Sequence, residues 1–295
     1  MAVLATSGIT LPKNIAAGMW QKATTGSTVA QLSGAEPMQF GDVTVMTFNT
    51  RPRAEYVGEG ADKASSTVGF GTKTVTPKKV QVTLRFNEEV LWADEDYQLG
   101  VLNTVGDATG VALSRALDFG VYHAINPLTG TAIAGLTENI TDTTSSVEVA
   151  GAADTEVEAA AGLVIANGYV PSGIALDPKY AWTLATARYA DGRKKYPDLG
   201  FGTNITQFEG LQASVSSTVS GTPEATDTKV RGIIGDFGQI RWGVQRNVPI
   251  ELIRFGDPDG QGDLKRKNQI ALRAEVVYGW AIMDLLAFAK LVDAV

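Results

Sequence analysis

Residues 80–126 constrain the fold most, because a strictly alternating segment runs almost directly into an unusually long helical segment. Apolar and polar side chains alternate from Lys79 to Asn87, which predicts a strand with one buried face and one wet face. Apolar side chains then recur at spacings of three and four, which predicts one helix over residues 94–126, ended by Pro127. At 1.5 Å per residue this helix would be about 50 Å long.

The segment before the strand is rich in Gly, Thr, Ser and charge. Residues 50–76 have the composition of a two-stranded ribbon with little core of its own, which is marginal in water when isolated. Residues 42–48 are predicted to pair with residues 80–86 across this ribbon. Four glycines bracket its tip, where tight turns need them: Gly58, Gly60, Gly69 and Gly71. A second copy of the same chain is the simplest support for such a ribbon.

The overall composition is that of an ordinary folded protein. Of its 295 residues, 44% are hydrophobic and 19% are charged, which allows one large domain or two modest ones. The 32 glycines, with abundant Thr, Ser and Val, favour a β-rich fold with many turns. A net charge of −7, spread along the chain, disfavours a dedicated nucleic-acid binder. The same charge does not exclude a protein that encloses DNA without binding it tightly.

The chain contains no cysteine, which excludes disulfides, thiolate metal sites and a cysteine nucleophile. Residues 1–22 lack the basic segment and continuous apolar run of a secretory signal. The most apolar run, residues 280–292, is interrupted by Asp284 and Lys290 and is too short to span a bilayer. We therefore expect a soluble intracellular protein.

The N-terminal segment and the long helix carry weaker local signals. Residues 1–41 are predicted to be an extended arm, docked or loose, with one short helix around residues 14–22. An acidic turn from Asp94 to Asp96 favours the start of the long helix. Four glycines each cost that helix roughly 1 kcal/mol relative to Ala, so tertiary packing must compensate. They are Gly100, Gly106, Gly110 and Gly120.

After a Thr-, Ser- and Gly-rich boundary at residues 129–151, the pattern is that of an α/β module. Asp154 or Thr155 is predicted to cap a helix that ends at residue 166, and Asp177 to cap a second that ends near residue 192. Four strands are predicted to alternate with these helices: residues 173–176, 230–237, 239–244 and 249–254.

Residues 268–277 alternate again between apolar and polar side chains. We expect this strand to pair near Phe86. The chain would then leave a first domain, form the middle module, and return to the first domain.

Residue types suited to catalysis are sparse. His123 is the only histidine, so a Ser-His-Asp arrangement or a His-ligated metal would depend on it. Its position near the end of the long helix favours a structural role. The Gly-Phe-Gly sequences at residues 69–71 and 200–202 lack the rest of a dinucleotide-binding motif and are predicted to be turns.

Charged clusters give no stronger signal. Three aspartates share a Gly-rich loop, but their spacing does not match a calcium loop: Asp257, Asp259 and Asp263. The basic runs at residues 193–195 and 265–267 are typical of solvated faces that could touch DNA phosphates non-specifically. Glu88 and Glu89 point to opposite faces of a strand. We therefore expect no enzyme, catalytic residue, cofactor or metal site, and keep an α/β hydrolytic enzyme as the minor alternative.

Five short sequences, taken with the order of the elements, carry a resemblance to a known family. Residues 182–184 and 191–193 lie at a predicted helix and the turn after it, and residues 235–237 (GDF) lie at the end of a predicted strand. Residues 268–275 (NQIALRAE) and 287–291 (AFAKL) lie near the end. In this order and spacing they resemble, nearly end to end, the major capsid proteins of tailed double-stranded-DNA bacteriophages. The first three match that family's A-domain and the last two its closing segments.

The resemblance implies an α+β fold with an N-terminal arm, an extended β-hairpin called the E-loop, a P-domain with a long spine helix, and an α/β A-domain. The implied bounds are 1–41 for the arm, 42–90 for the E-loop hairpin, 91–150 for the P-domain with its spine helix, 151–262 for the A-domain, and 263–295 for the P-domain return. The arm is too short for the internal scaffolding domain of some relatives, so scaffolding would be a separate protein.

The implied function is that of a shell protein assembled in the host cytoplasm. Pentamers and hexamers would form the icosahedral head of a virion around phage double-stranded DNA, without sequence-specific binding and without a membrane. E-loops would overlap neighbouring subunits at Val57, Lys63, Val68 and Phe70, A-domains would meet around capsomer axes, and P-domains at three-fold contacts. Portal and decoration proteins are further implied partners. Encapsulins, which are shells of the same fold with cargo enzymes, are the alternative.

Some relatives also join an E-loop lysine to a P-domain asparagine, with a glutamate acting as base. Lys63, Asn268 and Glu275 match those positions. Seven residues separate Asn268 from Glu275 and place them on opposite faces of a regular strand, so a bulge or a contact between chains is needed. Hydrogen bonding between strand and loop is the alternative role for both side chains.

Overall fold

The computed structural model describes residues 26–36, 38, 41–48, 53–66, 69–89, 95–202 and 204–294. The predicted α+β fold is confirmed. The described residues include four α-helices: α1 (Thr28–Leu32), α2 (Glu95–His123), α3 (Ala153–Ala166) and α4 (Pro178–Thr186). The helix predicted around residues 14–22 lies outside the described residues.

The same residues form thirteen strands: β1 (Val43–Phe48), β2 (Phe70–Val75), β3 (Lys78–Asn87), β4 (Ile125–Asn126), β5 (Thr131–Ala132), β6 (Ser146–Val149), β7 (Gly173–Leu176), β8 (Gln207–Phe208), β9 (Leu211–Val215), β10 (Val230–Gly235), β11 (Ile240–Ile253), β12 (Gln269–Ile282) and β13 (Phe288–Asp293). A three-stranded sheet has the order β11-β12-β3, and a six-stranded sheet has the order β6-β13-β10-β7-β9-β8. Strands β1 and β2 form a separate ribbon, as do β4 and β5.

Strand β1 pairs with β2 and not with β3, so the predicted partner of residues 42–48 was wrong. The antiparallel register runs from Val43 opposite Val75 to Phe48 opposite Phe70. Only Thr76 and Pro77 separate β2 from β3, yet β3 lies beside β12. Proline has no N–H to donate to a ladder, so it favours a break at this point and lets consecutive strands enter different sheets.

The predicted return of residues 268–277 to the strand near Phe86 is confirmed. Ile270 lies opposite Phe86, and the antiparallel pairing of β12 with β3 continues to Tyr278 opposite Lys78. The strands predicted at residues 239–244 and 249–254 are one strand, β11, which pairs with β12 through two register shifts. That correction moves β11 out of the sheet of the middle module.

The last strand, β13, belongs to the six-stranded sheet. It runs antiparallel to β10 and parallel to β6. Residues 263–295 therefore do not all return to the three-stranded sheet, although the resemblance implied a common P-domain location. The domain bounds themselves stay a prediction.

Helix α3 begins without the predicted cap from Asp154 or Thr155. Its N-cap is Ala152, which has no side chain that can accept a hydrogen bond. The buried Glu156 instead accepts backbone N–H groups of residues 150–152, at 2.7, 2.9 and 2.9 Å, on one carboxylate oxygen. Its other oxygen accepts the hydroxyl of Tyr180 at 2.9 Å. The carboxylate of the fourth helical residue thus accepts hydrogen bonds from N–H groups that precede the helix and have no partner within it.

The predicted cap of α4 is confirmed, and its predicted end is not. Asp177 accepts the N–H of Lys179 at 2.8 Å, with Pro178 in the first helical position. The helix ends at Thr186, before the expected residue 192, because Ala187 has an extended ψ of 136°.

The long helix α2 spans 29 residues, or about 44 Å. It ends at His123, because Ala124 adopts a positive φ of 53°. A Cβ on Gly120 would lie 2.6 Å from the ring of Trp280 in β12. The helix therefore needs glycine at this position to pack on the three-stranded sheet.

Two hydrophobic clusters occupy opposite faces of the six-stranded sheet. One cluster joins Leu117 of α2 with Val276 of β12 and Ile233 of β10. The other joins Val157 of α3 with Leu184 of α4 and Ile234 of β10. Neighbouring residues of β10 thus face different clusters, as alternation in a strand requires.

Candidate assembly surface

Residues 53–66, named here the ribbon tip, are exposed throughout. The N–H of Arg53 donates to Ser66 Oγ at 3.0 Å, and the N–H of Ala61 donates to the Gly58 carbonyl at 3.1 Å. These two contacts hold the ends of the tip near each other and close its turn. Tyr56 is fully exposed. The tip therefore has no buried side chain that would fix it on its own subunit.

The ribbon of β1 and β2, named with its tip the E-loop hairpin, is anchored at its base. Among its described residues Val75 is the one buried side chain. Val75 packs over Gly279 of β12, where a Cβ would lie 2.8 Å from its Cγ1. Lys73 forms an ion pair with Glu138 beside this contact. Farther out, Met46 and Phe70 are 66% and 61% exposed.

The sequence-predicted contact residues lie on this hairpin. Val57, Lys63 and Phe70 are exposed there, whereas Val68 lies outside the described residues. Tyr56 and Met46 share the same exposed surface but were not predicted. Their signal was a large side chain in or beside a segment that has little core of its own. Contact with a neighbouring subunit stays a prediction for all of them.

A second exposed aromatic cluster lies on α4 and the segment that follows it. The rings of Trp182 and Phe201 stack with centroids 5.8 Å apart and an interplanar angle of 11°. Lys194 Nζ lies 5.5 Å from the Phe201 centroid and donates to the Gly200 carbonyl at 2.9 Å. Tyr189 is also exposed. We name Trp182, Tyr189, Lys194 and Phe201 the aromatic patch, which sequence reasoning missed because exposure depends on the packing of α4.

The basic run at residues 193–195 contributes to this patch but is partly neutralised. Arg193 pairs with Asp191 at 2.6 Å, and Lys195 pairs with Asp154 at 2.6 Å. The hydrogen bond from Lys195 lowers the pKa of Asp154 below its ordinary value. In the other basic run, Lys265 contacts Glu88 at 3.1 Å. Neither run is a free basic stripe of the kind that binds nucleic acid strongly.

Two residues of the implied cross-link, Asn268 and Glu275, lie far apart along one strand. Asn268 precedes β12 with a positive φ of 53°, whereas Glu275 lies within β12. At the rise of a strand, seven residues span about 23 Å. Glu275 binds Lys79 Nζ at 2.8 Å, and its side chain is 15% exposed. Lys63 lies on the exposed ribbon tip.

His123 has the environment of a structural histidine. Its Nε2 lies 2.9 Å from the Thr218 carbonyl, which can only accept, so Nε2 carries the proton. Burial lowers the pKa of His123 below its ordinary value and keeps the ring neutral. The described residues offer no hydrogen-bond partner to Nδ1. A catalytic arrangement would need a carboxylate there.

The aspartate loop is closed by an internal cation. Arg85 pairs with Asp259 and donates to the Gly262 carbonyl at 3.0 Å. The Arg85 hydrogen bond lowers the pKa of Asp259, and Asp257 accepts the N–H of Gly262 at 3.0 Å. Groups of three His, Asp or Glu side chains suited to a metal do not occur in the described part of the chain.

The two Gly-Phe-Gly sequences differ. Residues 200–202 form the predicted turn, with φ of 58° at Gly200 and 76° at Gly202. Residues 69–71 do not, because Phe70 and Gly71 belong to β2. Within the described ranges, every helix is too short or too polar to cross a lipid bilayer.

Comparisons with known proteins place the chain in a family. A model of the phage capsid family matches residues 7–293. A solved structure from Mycobacterium phage Ogopogo shares 50% identity, with a TM-score of 0.82 over 91% of this chain and 92% of that one. A structure from Gordonia phage Cozz shares 34% identity, with a TM-score of 0.79 over 91% and 87%. No curated protein sequence matched.

A more distant similarity shows the fold alone. The capsid of a native GTA particle shares 17% identity, with a TM-score of 0.62 over 93% of this chain and 91% of that one. The phage matches favour a virion shell protein over the encapsulin alternative. The chain belongs to the phage capsid family and is a major capsid protein, a structural component of a bacteriophage virion shell.

Proposed function

We propose that copies of this chain form the pentamers and hexamers of an icosahedral head that encloses double-stranded DNA, and that the E-loop hairpin joins neighbouring copies. The observation that carries this proposal is the exposure of the whole ribbon tip, residues 53–66, together with fully exposed Tyr56. A segment of this length with no buried side chain gains little from its own subunit.

The energetics support a partner for the hairpin. Ordering one backbone residue costs roughly 1–2 kcal/mol, and the described hydrogen bonds of the tip offset little of that cost. Full burial of a side chain such as Phe70 on a neighbour contributes about 1.5–3 kcal/mol. In a closed shell the same contact is repeated at every copy.

The contact proposed for the hairpin has two parts. Val57, Val68 and Phe70 supply apolar area, and Lys63 supplies a charge at the rim. Tyr56 adds a large ring with a polar end, a residue type enriched at interfaces. Main-chain groups of the ribbon can add hydrogen bonds to the neighbour.

The aromatic patch is the surface we propose for contacts between A-domains around a capsomer axis. Its stacked rings, Trp182 and Phe201, are 51% and 67% exposed. Aromatic rings with an adjacent cation such as Lys194 are typical of interface centres. This proposed contact uses residues that lie outside the E-loop hairpin, so it can be tested separately.

DNA would be enclosed without tight binding. The net charge of −7 gives an overall electrostatic repulsion of phosphate, which disfavours tight binding. A separate scaffolding protein, a portal, decoration proteins and assembly in the host cytoplasm complete the proposal by family resemblance.

Electron microscopy of the purified full chain tests this function. Icosahedral shells with pentamers and hexamers are expected from the wild type. A Tyr56→Ser/Phe70→Ser variant should give few or no shells. Leu128→Ser is the matched control, because Leu128 is 91% exposed but lies outside the hairpin. Equal shell yields from the double variant and the wild type would contradict the role of the hairpin.

A further inference from the structure

Residues 26–36 and 38, named here the strap, contact both large sheets. Early in the strap, Gln31 Oε1 accepts the hydroxyl of Ser214 in β9 at 2.6 Å. Late in the strap, the N–H of Glu36 donates to the Trp242 carbonyl in β11 at 2.8 Å, and its carboxylate pairs with Arg241. The strap therefore connects the six-stranded sheet to the three-stranded sheet.

A single buried carboxylate, Asp118 of α2, binds the first residues of the strap. Ser27 Oγ donates to it, as do Thr28 N at 3.1 Å, Thr28 Oγ1 at 2.8 Å and Val29 N at 3.2 Å. The fifth donor is Thr218 Oγ1 at 2.8 Å. Four of these five donors thus belong to the strap.

Because Asp118 is buried, losing only some of its hydrogen-bond donors from the strap would be unfavourable. Burial raises the pKa of its carboxyl, and the hydrogen bonds oppose that shift. Two phenols face it: burial and its charge raise the pKa of Tyr122 and of Tyr278, so both stay neutral. A buried carboxylate left with fewer donors is strongly disfavoured. The strap contacts should therefore form or break together.

The close contacts at the far end fix the path of the strap. Gly243 of β11 has no room for a Cβ, because the Glu36 carbonyl lies there. Met38 Cε would lie 2.9 Å from a Cβ on Gly279 of β12. The strap therefore packs against two strands of the three-stranded sheet, β11 and β12.

We propose that the strap is a conformational clamp with Asp118 as its latch. While docked, the strap adds to the contacts that fix the angle between the two sheets, and its release makes that angle easier to change. Apart from the strap, the two sheets are joined by helix α2, by one hydrophobic cluster that includes Ile233 of β10 and Val276 of β12, and by the chain segments from β10 to β11 and from β12 to β13. The clamp concerns the single chain and does not rest on the proposed assembly.

The test weakens the latch from the strap side. Ser27→Ala/Thr28→Val removes two hydroxyl donors to Asp118, and Ser33→Ala is the matched control. Ser33 lies in the same segment and is buried, but its hydroxyl donates to the Val29 carbonyl and not to Asp118. Hydrogen exchange of the backbone amides of residues 28–33 reports release of the strap. We expect exchange to rise roughly tenfold or more in the double variant.

The second readout is the distance between the sheets. Because the chain has no cysteine, nitroxide labels at Glu158→Cys and Gln81→Cys, both exposed sites, report one distance on the full chain. We expect a narrow distance distribution in wild type and Ser33→Ala, and a broadened or shifted one in the double variant. If the double variant does not fold, Thr28→Val alone should give a smaller change of the same kind.

Three results would overturn the proposal. Unchanged exchange in the variants would contradict the latch. Faster exchange with an unchanged distance distribution would contradict the clamp. Equal effects of Ser33→Ala and the donor variants would show a general loosening of the segment and remove the specific role of Asp118.

Discussion

The ribbon tip contains no helix or strand, whereas the strap begins with the short helix α1, and the two segments are stabilised in different ways. The tip, residues 53–66, is exposed throughout. The strap buries Ser27, Thr28 and Val29 against Asp118 of its own chain. The strap is tied to its own chain by a buried acceptor, whereas the tip, which carries five charged side chains, has no such acceptor and is the surface that we propose contacts another copy.

The largest effect on the isolated subunit is expected from Asp118→Ala. It leaves the strap N–H groups and the Thr218 hydroxyl without their acceptor, which should lower the free energy of unfolding by about 3 kcal/mol. Tyr56→Ala should change it by less than about 0.5 kcal/mol, because Tyr56 is exposed. Urea denaturation of both variants measures the difference. Similar losses would erase the contrast between tip and strap.

A smaller loss is expected at the base of the hairpin. Val75 is 4% exposed and packs on β12, so Val75→Ala should cost the subunit about 1–2 kcal/mol. Phe70→Ala, farther along the same strand, should cost almost nothing. If urea midpoints showed Phe70 to matter more than Val75, the outer hairpin would belong to the subunit core.

His123 should produce a smaller, pH-dependent effect. Because burial lowers its pKa, the unfolded chain binds a proton more readily than the folded one. The stability that comes from the neutral ring is therefore complete above pH 6.5, the ordinary histidine pKa, and is lost as pH falls from there toward the lowered value. His123→Gln should flatten this dependence and keep shell yield near that of the wild type. Loss of a hydrolytic activity in a folded variant would revive the enzyme alternative.

The smallest effect is expected from Lys63→Arg, which tests the implied covalent cross-link between Lys63 and Asn268. Glu275, the implied base, forms an ion pair with Lys79 and lies far from Asn268 along β12. We therefore expect no covalent bond between Lys63 and Asn268. Boiled SDS gels of mature particles should show one band at the monomer mass, identical in wild type and Lys63→Arg. A ladder of higher masses in the wild type that disappears in Lys63→Arg would establish the cross-link instead.

Strong periodicity made part of the fold predictable. The alternation in β3 and β12 identified both strands and their pairing, and the recurrence of apolar residues identified α2. The partner of β1 was not predictable in the same way. Its alternating pattern suits β2 and β3 equally, and Thr76 and Pro77 decide where the ladder ends.

The strap and the aromatic patch were missed for a different reason. The strap depends on a carboxylate about 90 positions away, and residues 1–41 show no periodicity that would reveal it. The stacking of Trp182 on Phe201 depends on where α4 ends, which was itself predicted too late. Local patterns identify elements well, but they do not identify single long-range polar contacts.

Replacing residues 54–65 with an Asn-Gly turn tests most directly whether the hairpin stabilises the assembly and not the subunit. Arg53 and Ser66 already lie in hydrogen-bond contact, so a short turn can join them. We predict unchanged helical content and melting temperature of the unassembled chain, with shells absent in electron micrographs. Intact shells of normal stability, or an unfolded subunit, would contradict that claim.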